Sequence, residues 1–331
     1  MKKVVALLAA AICTAALAAC GGGAEPGAPK RATLILDFQP NAVHAGIYAA
    51  LHQGYYEEAG VDLDVQQPSS STDAPKLLEA GTVQFAILDI HDLAIAREHG
   101  FNVVGVMPIV QRPLASVIAR SSVRRPRDLE GRTVGVTGLP SDDAVLDSVV
   151  AADGGDPAEV HRVTIGFNAV AALAAGRVDA ATAFWNAEGV TLRRQGVATR
   201  TFRVDRYGAP RYPELVLVTT AAMIRNDPNL VGAVAAATRG GYVIADRRPA
   251  DALDDLLVAN PDLDRGDQHA ELRALDQAGA FRPPGRFDMP ALSAWARWEA
   301  KHGIVKRPPD VERTFVSSSR LRALGERAPA D

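Results

Sequence analysis

Asp37, Phe38, Gln39, Asn41, His44 and Tyr48 crowd into one stretch, Leu36-Asp37-Phe38-Gln39-Pro40-Asn41-Ala42-Val43-His44-Ala45-Gly46-Ile47-Tyr48. Together they offer a carboxylate, a phenyl face, two amides, an imidazole and a phenol. Such a set holds a flat polar molecule by stacking and hydrogen bonding. A second group, Trp185, Asn186 and Glu188, adds an indole face, an amide and a carboxylate. Each of these has an ordinary role too: Trp185 as core, Asn186 as a helix cap, Glu188 as a first-turn acid favoured by the helix dipole. Their joint occurrence with Asn41 and His44 points to a ligand. A flat heteroaromatic with an amino group would stack on Phe38 or Trp185 and turn its amino hydrogens to Glu188 or Asn186. The chain has no HExxH, GxGxxG or P-loop pattern and no Ser-His-Asp spacing. We therefore expect binding, with no catalytic residue, metal or cofactor.

The elements around these residues set their place. Ala32–Leu36 reads as a short buried strand, Pro40 stiffens the following turn, and Asn41 is a good N-cap. On the ensuing helix His44 and Tyr48 are four residues apart and share a face, while Val43, Ile47 and Ala50 pack inward. The corner thus sits where a strand's carboxyl end meets a helix start, the usual ligand position in open α/β sheets. The Trp185 corner follows the strand Val178–Phe184 in the same way. Weaker candidates are Asp89, which opens a helix after the strand Val83–Leu88, and the helix-start loops carrying Ser70, Thr137 and Ser141. Ordinary capping explains those loops equally well. Gln111 and Tyr212 lie at the two chain crossings, where they line a cleft or pack a hinge.

Repeated β-α-β units predict α/β architecture with parallel sheets. The strand Leu114–Ala119 follows another strand with no helix between, so the chain changes lobe there. Leu215–Thr219 reads as the return crossing. We expect lobe 1 over residues 32–113 and 216–331, lobe 2 over residues 114–215, and a hinge cleft between them, the architecture that traps small ligands. Trp295 and Trp298 read as core. The end, residues 311–331, is expected to pack loosely if at all.

The chain opens Met1-Lys2-Lys3, followed by an apolar run to Ala19 and then Cys20. This reads as a secretory signal over residues 1–19, too short for a comfortable membrane span. Leu17-Ala18-Ala19-Cys20 has a bacterial lipobox pattern, implying lipid on Cys20 and anchoring outside the cytoplasm. Residues 20–31 look like a flexible tether. The only other cysteine, Cys13, is in the signal, so a mature domain would have no disulfide and no thiolate. The net charge of −3, without a long basic run, argues against nucleic-acid binding. A monomer is expected.

The first corner, followed by Gly54-Tyr55-Tyr56, resembles the opening of the NMT1/THI5-like substrate-binding proteins, especially the lipoproteins that deliver thiamine pyrimidine precursors to ABC importers. The resemblance continues through Ile109-Val110-Gln111-Arg112-Pro113-Leu114, Asp128-Leu129-Glu130-Gly131-Arg132-Thr133-Val134-Gly135, Gly154-Gly155-Asp156-Pro157 and Phe184-Trp185-Asn186-Ala187-Glu188. It implies a type II periplasmic-binding-protein fold. It also implies that Asn41, His44, Trp185, Asn186 and Glu188 line the pocket, that formylaminopyrimidine or hydroxymethylpyrimidine is the ligand, and that an ABC permease with its ATPase is the partner. The family often carries Trp where this chain has Phe38, which reshapes the stack. Relatives bind riboflavin, alkanesulfonates or nitrate, and those ligands stay open. So does service as a receptor for a sensor protein. The superfamily also holds a pyrimidine synthase that consumes its own histidine with pyridoxal phosphate and carries a Cys-rich motif. A mature domain without cysteine lacks that motif.

Overall fold

The computed structural model describes residues 28–70 and 72–326. The signal, Cys20 and most of the tether lie outside these residues. Ten strands form two five-stranded sheets. β1 (Lys30–Ile35), β2 (Val61–Gln66), β3 (Phe85–Asp89), β4 (Val103–Pro108) and β10 (Leu215–Thr220) make the first, in the order β2-β1-β3-β10-β4. β5 (Ala115–Arg120), β6 (Thr133–Val136), β7 (His161–Thr164), β8 (Ala180–Phe184) and β9 (Thr199–Arg203) make the second, in the order β7-β6-β8-β5-β9.

Each sheet is mixed, where the β-α-β pattern predicted parallel strands throughout. β1 runs parallel to β2 and β3, but β10 is antiparallel to β3 and β4. In the second sheet β6 is parallel to β7 and β8, while β5 is antiparallel to β8 and β9. The reason is where the chain enters. β5 and β10 each come straight out of a crossing between the sheets, so they start at the end where the parallel strands finish. Carboxyl ends of β1, β3 and β8 and amino ends of β5 and β10 therefore meet along one seam.

Strand patterns follow their cover. On the edge strand β2, Val61 and Leu63 are buried and Asp62 and Asp64 exposed, as one covered face requires. β4 is buried throughout. Helix Pro228–Arg247 crosses helix Ala45–His52 at very close range. A Cβ on Gly241 would come within 1.8 Å of the Gly46 carbonyl oxygen, so only glycine fits there. Trp295 and Trp298, on helix Met289–Lys301, are core residues.

Residues 311–326 are docked, contrary to the expectation of loose packing for 311–331, of which 327–331 lie outside the described residues. Phe315 is buried edge-on against Trp295, and the Val316 N–H donates to the Gly105 carbonyl. Leu321, on helix Ser318–Gly325, is buried too. Each such apolar side chain contributes roughly 1.5–3 kcal/mol, enough to hold a short segment that lacks strong periodicity. β1 begins at Lys30, inside the segment read as tether.

Candidate functional site

A cleft of about 1030 Å³, counting its open mouth, lies along the seam between the sheets. The wall on the side of the first sheet includes Asp37, Phe38, Asn41, Asp89, Asp92 and Leu215; the wall on the side of the second includes Ser116, Thr137, Ser141, Asp142, Phe167, Phe184 and Glu188. Five of these residues are carboxylic acids. Among the described residues, no Lys, Arg or His lines the cleft.

The first corner is built by a short 3-10 turn, Ala42–His44, ahead of helix Ala45–His52. The Asn41 side chain caps it, its Oδ1 accepting the Val43 N–H at 2.9 Å. His44 closes the turn through Nδ1, which accepts the Asn41 N–H at 3.2 Å. That fixes the tautomer, leaving Nε2–H to donate to Asp37 Oδ1 at 2.9 Å. Asp37 is thereby aimed into the cleft. Phe38 packs edge-on against Phe167 of the opposite lobe, with ring centroids 4.5 Å apart. Two phenyl groups from different lobes thus meet across the cleft mouth.

Glu188 opens helix Glu188–Arg194 and accepts the Phe184 N–H at 3.1 Å. Burial pushes its carboxyl up to about 7, against the pull of two backbone N–H groups. Asp142 holds the preceding loop through the Thr137 N–H and hydroxyl, at 2.6 and 2.5 Å, yet burial still raises it. Asp92 is raised well above the carboxylate range by burial, and it meets the Ser141 hydroxyl across the seam. Burial thus works against the charged form of Glu188, Asp142 and Asp92 alike. The wall as a whole accepts protons and hydrogen-bond donors.

Asp37, Phe38, Asn41, Glu188, Asp89, Thr137 and Ser141 thus fall on the wall. The other expected residues do not. His44 is sealed behind Asp37 with no exposed surface. Tyr48 is buried beside Asn260, because the helix carrying it runs back from the cleft into lobe 1. The Trp185 indole turns to the hinge, donating from Nε1 to the Pro113 carbonyl at 2.9 Å beneath the Arg203 guanidinium. Asn186 is fully buried, and neither side-chain atom has a partner among the described residues. Ser70 is exposed and committed to Asp73. Gln111 donates to the carbonyls of Pro283 and Arg286, bracing the first crossing. Tyr212 is buried against His91. Phe167, Phe184, Asp92 and Asp142 were not among the expected ligand residues, although Phe184 lies in a quoted motif. Phe167 and Asp142 each stand just after a strand of the second sheet, a position that marks them once the strand order is known.

Asp89, His91 and Glu214 have donor atoms within 4.8 Å of one another. Both His91 nitrogens are already engaged, Nδ1 with Glu299 and Nε2 with the Tyr212 hydroxyl at 3.0 Å. Burial opposes a charge on this ring, but the Glu299 and Glu214 carboxylates outweigh it and hold the imidazole up at about 10. An imidazolium cannot ligate a metal, so the group carries its own cation.

Two mixed α/β lobes, joined by two crossings and closing over a ligand-sized cleft, define a periplasmic-binding-protein fold of type II. The solved alkanesulfonate-binding protein SsuA of Xanthomonas axonopodis pv. citri, bound to MOPS, shares this fold. Its TM-score is 0.71 at 16% identity, over 88% of this chain and 100% of that one. The family described as NMT1/THI5 like matches residues 41–252. A formylaminopyrimidine-binding protein of Halalkalibacterium halodurans is 31% identical over 95% of this chain and 98% of that protein. A 4-amino-5-hydroxymethyl-2-methylpyrimidine phosphate synthase of Legionella pneumophila is 25% identical over 71% of this chain and 75% of the synthase. The chain belongs to the NMT1/THI5-like family.

Proposed function

We propose that this protein is the extracytoplasmic solute-binding component of an ABC importer, and that its cleft takes a 4-aminopyrimidine precursor of thiamine. One observation carries the ligand class: a wall of phenyl rings and five carboxylic acids, with no cationic side chain among the described residues. A sulfonate or nitrate would find no cation on the wall to pair with, a costly burial of an unpaired charge. A flat heterocycle rich in N–H donors, and itself readily protonated, meets the wall's acceptors and rings. The similarity to a formylaminopyrimidine-binding protein over nearly the whole of both chains points the same way.

Capture works by population shift, since a ligand touching both walls favours the closed form. The closed form then docks on a permease driven by its ATPase, with no chemistry at the cleft. Against a synthase reading, among the described residues no lysine lines the wall to hold pyridoxal phosphate, and the adjoining His44 and His91 are both sealed. Among the described residues no helix is long and apolar enough to cross a membrane; attachment would rest on lipid at Cys20, and the protein would act as a monomer. A thermal-shift panel tests the ligand class. Formylaminopyrimidine and hydroxymethylpyrimidine should raise Tm while taurine, nitrate and riboflavin leave it unmoved. A shift with taurine alone would overturn the reading.

A further inference from the structure

Behind the cleft floor lies a polar cluster that ligand contact alone does not explain. Asp89 ends β3 on the wall and caps the next helix, its Oδ1 accepting the His91 N–H at 2.7 Å. Glu214 is fully buried in the second crossing, immediately before the wall residue Leu215. One of its oxygens, Oε2, accepts the backbone N–H groups of Leu114 and, at 3.0 Å, Ala115. Those two residues end the first crossing and begin β5. A single carboxylate therefore binds both crossings together. Its other oxygen, Oε1, has no N–H or O–H donor among the described residues, and the Asp89 carboxyl lies close by, with an oxygen of each group within 4.8 Å of the other.

Two buried carboxyl groups this close are costly to ionise together. Two amides favour the charge on Glu214, so the proton belongs on Asp89, where it supplies the missing donor to Oε1. The surrounding groups agree. His91 is an imidazolium paired with Glu299, Tyr212 is held neutral by burial, and Asp92 and Asp142 are raised. Burial raises both Asp89 and Glu214, and their mutual hydrogen bond raises Asp89 while lowering Glu214.

We propose that Glu214 is a positioning residue for ligand capture: it clasps the two crossings and, by taking a hydrogen bond from a protonated Asp89, keeps the negative charge at the hinge and off the cleft wall. Asp89 then faces the ligand as a neutral acceptor, which suits a pyrimidine whose side chain is uncharged. The inference rests on reading the cleft as the ligand site, but its proton placement can be read without ligand.

Glu214→Gln separates the roles. The glutamine carbonyl still accepts the two amides and its NH2 donates to Asp89, so the fold is retained, but Asp89 now carries the charge. Infrared difference spectra of the ligand-free protein should show one protonated-carboxyl stretch lost in Glu214→Gln and the same stretch lost in Asp89→Asn. Calorimetry then compares formylaminopyrimidine with the aminomethyl analogue, which carries an ammonium. In Glu214→Gln preference should move toward the ammonium ligand by about tenfold. Retention of the stretch in both variants overturns the proposal whatever the affinities do, and so does an unchanged preference when both ligands bind. Loss of the stretch with neither pyrimidine bound by the unaltered protein keeps the proton assignment and fails the ligand reading instead. A Glu214→Gln protein that does not fold leaves Asp89→Asn to decide by the same stretch.

Discussion

Replacing Glu188 by glutamine tests the cleft chemistry through the pH dependence of binding. The edge of a 4-aminopyrimidine places a ring-nitrogen acceptor beside an amino donor. A protonated carboxyl matches that edge, one oxygen donating and the other accepting. Burial holds Glu188 at about 7, so the free protein loses this proton as pH rises through neutrality. Between pH 7.5 and 9.5 the free ligand's ring is neutral, and binding must take up a proton. Affinity should then fall about tenfold per pH unit, roughly 100-fold or ~2.7 kcal/mol over two units. A glutamine offers the same donor and acceptor without a titration. Glu188→Gln should therefore bind with a flat profile and exceed the unaltered protein at pH 9.5. Glu188→Ala should also bind with a flat profile but lose both hydrogen bonds, about 1–3 kcal/mol below Glu188→Gln at every pH. Isothermal titration calorimetry with formylaminopyrimidine across this range is the assay. A flat profile in the unaltered protein, or a slope that persists in Glu188→Gln, would refute the assignment.

Other substitutions probe closure and support. Arg194 of lobe 2 pairs with Asp264 and Asp267 beside helix Arg265–Gln277 of lobe 1; Arg194→Ala should speed ligand release severalfold, below about 1 kcal/mol, with the effect vanishing at high salt in stopped-flow traces. Phe167→Ala removes the ring that meets Phe38, and calorimetry should show binding weakened by ~0.5–1.5 kcal/mol with little change in Tm. His44→Ala leaves Asp37 unsupported and a hole in the core, so Tm and affinity should fall together, by about 1–3 kcal/mol in denaturant melts. Burial raises Glu188 to about 7 and Glu271 to about 8. A carboxyl raised in the folded state contributes stability fully present below its unfolded pKa and lost as pH rises through the folded value. Scanning calorimetry of the ligand-free protein should thus show Tm falling by several degrees between pH 6 and 9, and Glu271→Gln should flatten that fall.

What could be read from the chain was punctuation. Pro40 and Asn41 end a strand and start a helix, and that local chemistry puts Asp37, Phe38 and Asn41 on the cleft wall. The same reading put His44 and Tyr48 on one shared face through the four-residue spacing. That spacing holds within an α-helix, but the first turn here is 3-10, and the helix then runs back under helix Pro228–Arg247. Glu188 was legible as a first-turn acid at a strand end. Trp185 was not, because its direction depends on the Pro113 carbonyl and Arg203, both distant in sequence. Phe167, Asp92 and Asp142 acquire meaning only when the lobes close on each other. The antiparallel entry of β5 and β10 is equally invisible in local pattern, since it depends on where a crossing delivers the chain. Asp89 was in view as a helix start, but its partner Glu214 lies 125 residues on in a crossing with no periodicity of its own.

The most direct test is a side-by-side titration of the purified protein with formylaminopyrimidine and with an alkanesulfonate such as taurine, at pH 7 and moderate salt. The expected result is saturable one-to-one binding of the pyrimidine, micromolar or tighter, and no heat with the sulfonate. Saturable binding of the sulfonate with none of the pyrimidine would contradict the acid-lined, cation-free cleft as the determinant of what this protein carries.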